Sequence, residues 1–347
     1  MNSKHLILPL AAGLLFTACK SNQTDSIAND VVVKQDTIMK ESAEPFEYVS
    51  EQFSDLRILR YEIPAFDQLS LQQKELLYYL SEAALCGRDI MWDQNYKFNL
   101  TIRKTIDAIV NGYKGDVNNE DYKKFMVYAK RVWFSRGIHH HYGSEKFFPE
   151  CSQDVFSKLI SEVDAAQLPL NQGEAKEAFI ARLMPLIYDP KIAPKKVSLD
   201  SKKDLILNSA VNFYEGVNQQ EAIAFYEKMV DKKDTTPVMI GLNSKLVKEN
   251  GVIVEKVWKV GGMYTQAIEK IVYWLEKAVT VAENAEQKDA LQKLVTFYKS
   301  GSLKDFDTYN IAWVKDTQSA IDVTNGFIEV YEDPLGKKAT FESVVSV

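Results

Sequence analysis

Histidine is nearly missing from this chain: 347 residues contain four, His5, His139, His140 and His141. None is followed by glutamate and none repeats at helical i, i+4 spacing, so the helical motifs that turn two imidazoles toward one zinc ion are excluded. Cysteine is scarcer still. Cys19, Cys86 and Cys151 show no x-x spacing, which rules out a zinc knuckle and a redox pair. A Cys86–Cys151 disulfide stays open in an oxidising compartment, but buried free thiols are the expectation, since free cysteine is among the most buried residue types. There is no Gly-rich phosphate loop, no Gly-x-Ser-x-Gly elbow, no paired-carboxylate motif and no fixed-period repeat. No basic stripe exists either: 42 Lys and Arg against 48 Asp and Glu leave a formal charge of -6, which excludes nucleic acid as a partner.

What is present begins with a targeting signal. Lys4 gives a basic start, Leu6 to Phe16 an apolar run, and Thr17-Ala18 precede Cys19. That is the layout of a secretory signal, and the run falls short of the ~20 apolar residues that span a bilayer. Small residues ahead of a cysteine match a bacterial lipobox, with Phe16 where leucine is usual. We expect a signal peptide over 1–18, lipidation of Cys19 and a flexible polar tether over 19–45. A cleaved signal whose cysteine is incidental is the alternative. The chain is then expected at the bacterial cell envelope, on its periplasmic side or surface, touching membrane through the lipid alone.

Residues 46–347 read as the folded part. A composition 46% hydrophobic and 26% charged is that of a soluble globular chain with a sizeable core. Phe53 to Phe66 looks extended. Ser70 with Gln73 three residues on forms a capping box ahead of Leu76, Leu77, Leu80, Ala83 and Ala84 at helical spacing. Further helices are expected at Asn99–Val110, Asn119–Phe134, Asp154–Val163, Glu174–Leu183 with a break at Pro185, Gln219–Val230, Met263–Ala282 and Asp289–Tyr298. Gly241–Lys248 and Val252–Trp258 flank Asn250-Gly251 and read as two strands around a tight turn. Ile311–Val314 and Phe327–Tyr331 read as two more strands, joined through Asp316 to Asn325. Ala339 to Val347 is amphipathic, with no evident partner for Phe341, Val344 and Val345. The fold class is α+β.

Two clusters carry possible chemistry. In Gly137-Ile138-His139-His140-His141-Tyr142, adjacent rings point apart, and no cysteine or carboxylate stands at ligand spacing. A loop or cleft wall with satisfied histidines is the expected reading. In Asn325-Gly326-Phe327-Ile328-Glu329-Val330-Tyr331-Glu332-Asp333-Pro334, Phe327, Glu329, Tyr331 and Asp333 alternate and are expected on one face, with Ile328 and Val330 on the other. That face is either a cleft wall or merely solvated.

The last segment, with Tyr78-Tyr79-Leu80-Ser81-x-Ala83-Ala84-x-x-Gly87 and Gly241–Lys248, resembles signature blocks of the dipeptidyl peptidase III family, zinc exopeptidases of peptidase family M49. Similar Gly-Ile-His-His-His-Tyr runs occur in bacterial members, outside their zinc site. The resemblance extends over roughly Phe53 to Val347 and implies a mostly helical first lobe around a small β-barrel-like core, facing a second lobe that carries zinc in a His-Glu-x-x-x-His motif. That motif is missing here, so no catalytic or metal-ligating residue is assigned to this chain, and zinc is expected only in the full-length family. In the family an acidic residue and an aromatic two positions later, ahead of Gly-Phe-Ile-Glu, help hold the free amino end of a short peptide. The matching positions are Asp322, which keeps the charge on a shorter arm, and Thr324, which lacks the aromatic surface. With Gly326, Phe327, Glu329 and Tyr331 these form the expected substrate-binding set. The resemblance thus implies the front part of an enzyme that releases N-terminal dipeptides, inactive by itself and completed by a zinc lobe. A stand-alone lipoprotein that binds peptides or docks to a partner is the alternative.

Overall fold

The structure, a computed structural model, describes residues 46–347. The expected signal peptide, Cys19 and the tether lie outside the described residues. Every element belongs to the unit Tyr48–Val347. β1 (Val49–Phe53) turns at Ser54-Asp55 and pairs antiparallel with β2 (Leu56–Leu59). α1 (Leu71–Cys86) starts with the expected capping box: the Ser70 side chain accepts from the Gln73 N–H, and the Gln73 side chain accepts from the Ser70 N–H. α2 (Arg88–Asn95) follows directly after Gly87, a helix that the sequence pattern does not announce.

α3 (Asn99–Gly112), α4 (Glu120–Ser135), α5 (Gln153–Glu162) and α6 (Lys176–Tyr188) pack around a core of Ile102, Ile106, Phe125, Tyr128, Phe156, Phe179 and Leu183. α6 runs through Pro185 instead of breaking before it. Proline removes the N–H that would bond the Ala181 carbonyl, but only the last turn of the helix follows it, and the Pro185 carbonyl still accepts from Asp189 N–H at 3.0 Å. α7 (Gln219–Glu227) sits over a small cluster containing Tyr226 and Leu246. α8 (Thr265–Thr280), α9 (Ala285–Ser300) and α10 (Leu303–Lys315) share with α1 the largest core, built on Leu76, Ile268, Leu275, Leu294, Phe297 and Phe306.

The strands expected around Asn250-Gly251 are β4 (Ser244–Glu249) and β5 (Val252–Val257). Asn250 at φ 50 and Gly251 at φ 83 supply the two positive dihedrals that a tight hairpin with native twist requires. β3 (Tyr214–Glu215) adds parallel to β4. β6 (Asp322–Glu329) pairs antiparallel with β7 (Thr340–Ser346). Two expectations are corrected. Ile311–Val314 is the end of α10, because Phe306, Tyr309 and Ala312 bury one face at a three-residue spacing. Ala339–Val347 has a partner: it is β7, and Phe341 is buried between β6 and Gly87.

The mixed helix and strand class is as expected. The small barrel is not closed among the described residues, whose strands form separate two-, three- and two-stranded sheets. No helix among them is long and apolar enough to cross a membrane. Cys86, half-buried, and Cys151, buried, are free thiols.

Candidate functional site

The β6–β7 hairpin carries most of the expected site, and its register decides what faces what. Gly326 pairs with Glu342 and Phe327 with Phe341. Then the register shifts, so that Glu329 pairs with Thr340. One extra residue at Ile328 reverses the alternation beyond it. Phe327 therefore points into the core, with no exposed surface, against Trp258 at 4.7 Å and Phe341 at 6.0 Å between ring centroids. Glu329 instead joins the face of Thr340 and Glu342. The expected common face of Phe327, Glu329, Tyr331 and Asp333 is thus not formed: the bulge turns Glu329 away from Phe327, and Tyr331 and Asp333 lie in the turn beyond the end of β6.

Its effect is to place two carboxylates together. Burial and the neighbouring Glu329 charge both raise the pKa of Glu342, while Arg136 opposes them. Tyr331, 66% exposed, has its phenol pKa raised by burial and by Glu342, Glu332 and Glu329, with Tyr142 also near. Arg136 is delivered by the end of α4, where it adopts φ 52 and its N–H caps the Trp133 and Val132 carbonyls. Glu342 is an addition to the site that sequence reasoning misses, whereas Tyr142 belongs to the run expected as a loop or cleft wall. Nothing in a single strand reveals its partner's register, so Glu342 carries no local signal.

A cleft of about 330 Å³ lies beside Tyr331 and Glu332 and is walled on its other side by His141, Tyr142, Gly143 and Ser144, with Lys195, Val197 and Leu199 completing it. The Glu332 carboxylate is tied to the nearly buried Lys196 ammonium at 2.6 Å. Asp333 does not face the cleft. It is 4% exposed and accepts from the Tyr214 hydroxyl at 2.9 Å and from the backbone N–H groups of Lys337 and Lys338 at 2.7 and 2.8 Å. The Lys338 ammonium, fully buried, donates to the Tyr226 hydroxyl, to Gly241 O at 3.1 Å and to Ser244 Oγ at 2.9 Å, 3.5 Å from Glu255. These two residues pin the turn between β6 and β7 and so aim Tyr331 and Glu332.

Asp322 and Thr324 lie at the opposite end of β6, away from that cluster by several residues at ~3.4 Å each. The Asp322 carboxylate accepts from Trp313 Nε1–H at 2.8 Å. Gly326 is buried against Phe306 and Ile328. Between the two ends, the buried Asn325 accepts from the Tyr298 hydroxyl and donates to Ser343 Oγ at 2.9 Å, which fixes the pairing.

The three histidines do not converge on one point: His139 turns into the core, while the His140 and His141 rings stack with centroids 4.5 Å apart, against the expectation that adjacent rings point apart. His139 is buried and bonds the Ala193 carbonyl through Nε2 at 2.8 Å; burial pulls its pKa down to about 4. His140 Nδ1 accepts backbone N–H groups, and His141 lies against Phe134 with its own pKa lowered by burial first and by His140 next. Among the described residues no group of three His, Cys, Asp or Glu side chains is arranged to hold a metal ion, so the residues present do not fit a zinc site.

The sequence pattern of peptidase family M49 matches residues 200–347. Dipeptidyl peptidase 3 of Dictyostelium discoideum is 24% identical over 254 residues, covering 67% of this chain and 34% of its own length. The Homo sapiens protein of the same name is 23% identical over 313 residues, covering 82% and 42%. Among solved structures, DPP III from Caldithrix abyssi superposes with a TM-score of 0.51 at 17% identity over 81% of this chain and 40% of that one. Dipeptidyl-peptidase III from Corallococcus sp. strain EGB gives 0.53 at 14% over 82% and 40%. The fold is that of a peptidase family. More narrowly, residues 200–347 carry the sequence pattern of peptidase family M49, and the chain is similar to part of the full-length dipeptidyl peptidase III. It spans about two-fifths or less of the length of these relatives.

Proposed function

We propose that this chain is the N-terminal part of a dipeptidyl peptidase III-like zinc peptidase and supplies the cleft wall that holds the free amino end of a short peptide. The observation that carries this is the pair Glu329 and Glu342, brought to one face by the bulge at Ile328, whose charges act on Tyr331, the residue of this hairpin that together with Glu332 lines the cleft. An exopeptidase must recognise an ammonium group, and two carboxylates with a phenol offer charge-assisted acceptors for it. Phe327 and Gly326 act beneath the surface by holding the strand. Asp322 and Thr324, at the far end of β6, meet the peptide only where it extends along the strand. Zinc, the water it activates and the remaining barrel strand come from chain outside this one, so this chain alone is inactive. Lipid anchoring at Cys19 places it at the bacterial cell envelope.

Calorimetric titration tests this reading. An unprotected tetrapeptide is expected to bind, its N-acetylated form to bind at least about tenfold more weakly, and Glu329→Gln to erase the difference. Equal binding of both peptides overturns the reading, and zinc-dependent release of dipeptides by this chain alone overturns the claim of inactivity.

The second reading, a stand-alone peptide-binding lipoprotein, is favoured by one observation: β7 is paired along its length and Phe341 is buried, so the wall holds itself together. Peptide affinity unchanged by an added zinc lobe supports it.

A further inference from the structure

We propose that His140 is a positioning residue that sets the Tyr142 wall of the cleft. This rests on the peptide-cleft reading above and names the group that shapes its second wall. Tyr142 is 88% exposed and touches little but the His141 ring, at 4.6 Å between centroids, so packing cannot fix it. Its backbone is fixed instead. His140 Nδ1 accepts the Tyr142 N–H at 3.2 Å and the Gly143 N–H at 2.9 Å.

These are the bonds that an asparagine or aspartate side chain makes to the amides two and three residues on in a tight turn. Main-chain bonds close the same loop, from His140 N–H to Glu145 O at 2.7 Å and from Ser144 N–H to His140 O at 3.1 Å. An imidazole nitrogen that accepts two N–H groups carries no proton, so the hydrogen sits on Nε2. That N–H faces the Asp55 carboxylate at 3.5 Å, at the tip of the β1–β2 hairpin. Arg131, 3.8 Å from Asp55, steadies the same carboxylate. The chain of dependence runs from Asp55 through the His140 tautomer to two backbone amides, and from them to the tyrosine that lines the cleft. The histidine run thereby has a use that needs no metal.

The test uses the full chain with two variants, His140→Ala and His140→Asn, the second because its Oδ1 stands where Nδ1 stands. Amide hydrogen exchange is read at Tyr142 and Gly143, and affinity for an unprotected tetrapeptide by calorimetry. In His140→Ala, exchange at those two amides is expected to accelerate about tenfold and affinity to fall several-fold. In His140→Asn both return toward the wild-type values. Unchanged exchange in His140→Ala overturns the proposal, as does a loosened loop with undiminished affinity or an asparagine variant that restores neither. If no variant binds peptide while exchange behaves as expected, the cleft reading fails and the hydrogen bonds stand.

Discussion

Gly87 and Phe341 compete for one volume. A Cβ built on Gly87 would lie 2.0 Å from Phe341 Cζ, so the ring rests directly on the glycine backbone between α1 and α2. Gly87 has φ −83, which any residue tolerates, so contact and not conformation demands glycine here. Gly87→Ala is expected to lower stability by about 1–3 kcal/mol, because the ring, enclosed at 1% exposure, has little room to retreat. A urea unfolding midpoint equal to that of the wild type would show that the ring moves aside at no cost.

Peptide affinity should depend on Glu342 protonation. The carboxylate is the binding form, and burial together with the Glu329 charge raises its pKa above that of an ordinary glutamate. Affinity for a free-amino peptide is therefore expected to fall on acidification sooner than an exposed glutamate would dictate. Glu342→Gln should weaken binding at neutral pH and flatten that early fall. Titrations across pH that superimpose for the two proteins would refute a role for this carboxylate.

His139 makes stability itself pH-dependent. Its pKa drops from 6.5 to about 4 on folding because burial opposes the charge. The unfolded chain takes up the proton first as pH falls, so the contribution is whole above 6.5 and declines toward 4 by up to about 1.4 kcal/mol per pH unit. His139→Gln should remove that part of the slope, as measured by chemical denaturation at several pH values. A slope equal to the wild type would assign the decline to other groups.

Lys338→Met is expected to destabilise by about 3 kcal/mol, since it removes the donor shared by Gly241 O and Ser244 Oγ and leaves the Glu255 carboxylate without its cation. The turn aimed by Asp333 loosens with it, so peptide affinity should fall too. A fully stable variant would show that water or a neighbour takes over those bonds.

Helices with a cap or a clean period are legible in the linear sequence: α1 with Ser70 and Gln73, α8 with Ile268, Ile271, Val272 and Leu275. The hairpin at Asn250-Gly251 is legible because its turn has few alternatives. α10 misleads because Ile311 to Val314 is short and apolar, and such a run fits a strand or a helix until Phe306 and Tyr309 are counted with it. In the site, Glu329 and Tyr331 are visible as residues, but their companions are not. Which face Glu329 takes depends on a bulge, and Glu342 meets it only through pairing across a turn, two facts that a linear pattern of alternation does not contain.

The anchoring of Asn325 between Tyr298 and Ser343 makes fold and recognition inseparable at this hairpin. Were β7 to slide by one residue, Phe341 and Glu342 would trade sides, setting a charge against Trp258 and an aromatic ring toward water. The chain thus cannot lose the alignment of its acidic pair gradually: the hairpin is built with both carboxylates in place or it is not built at all.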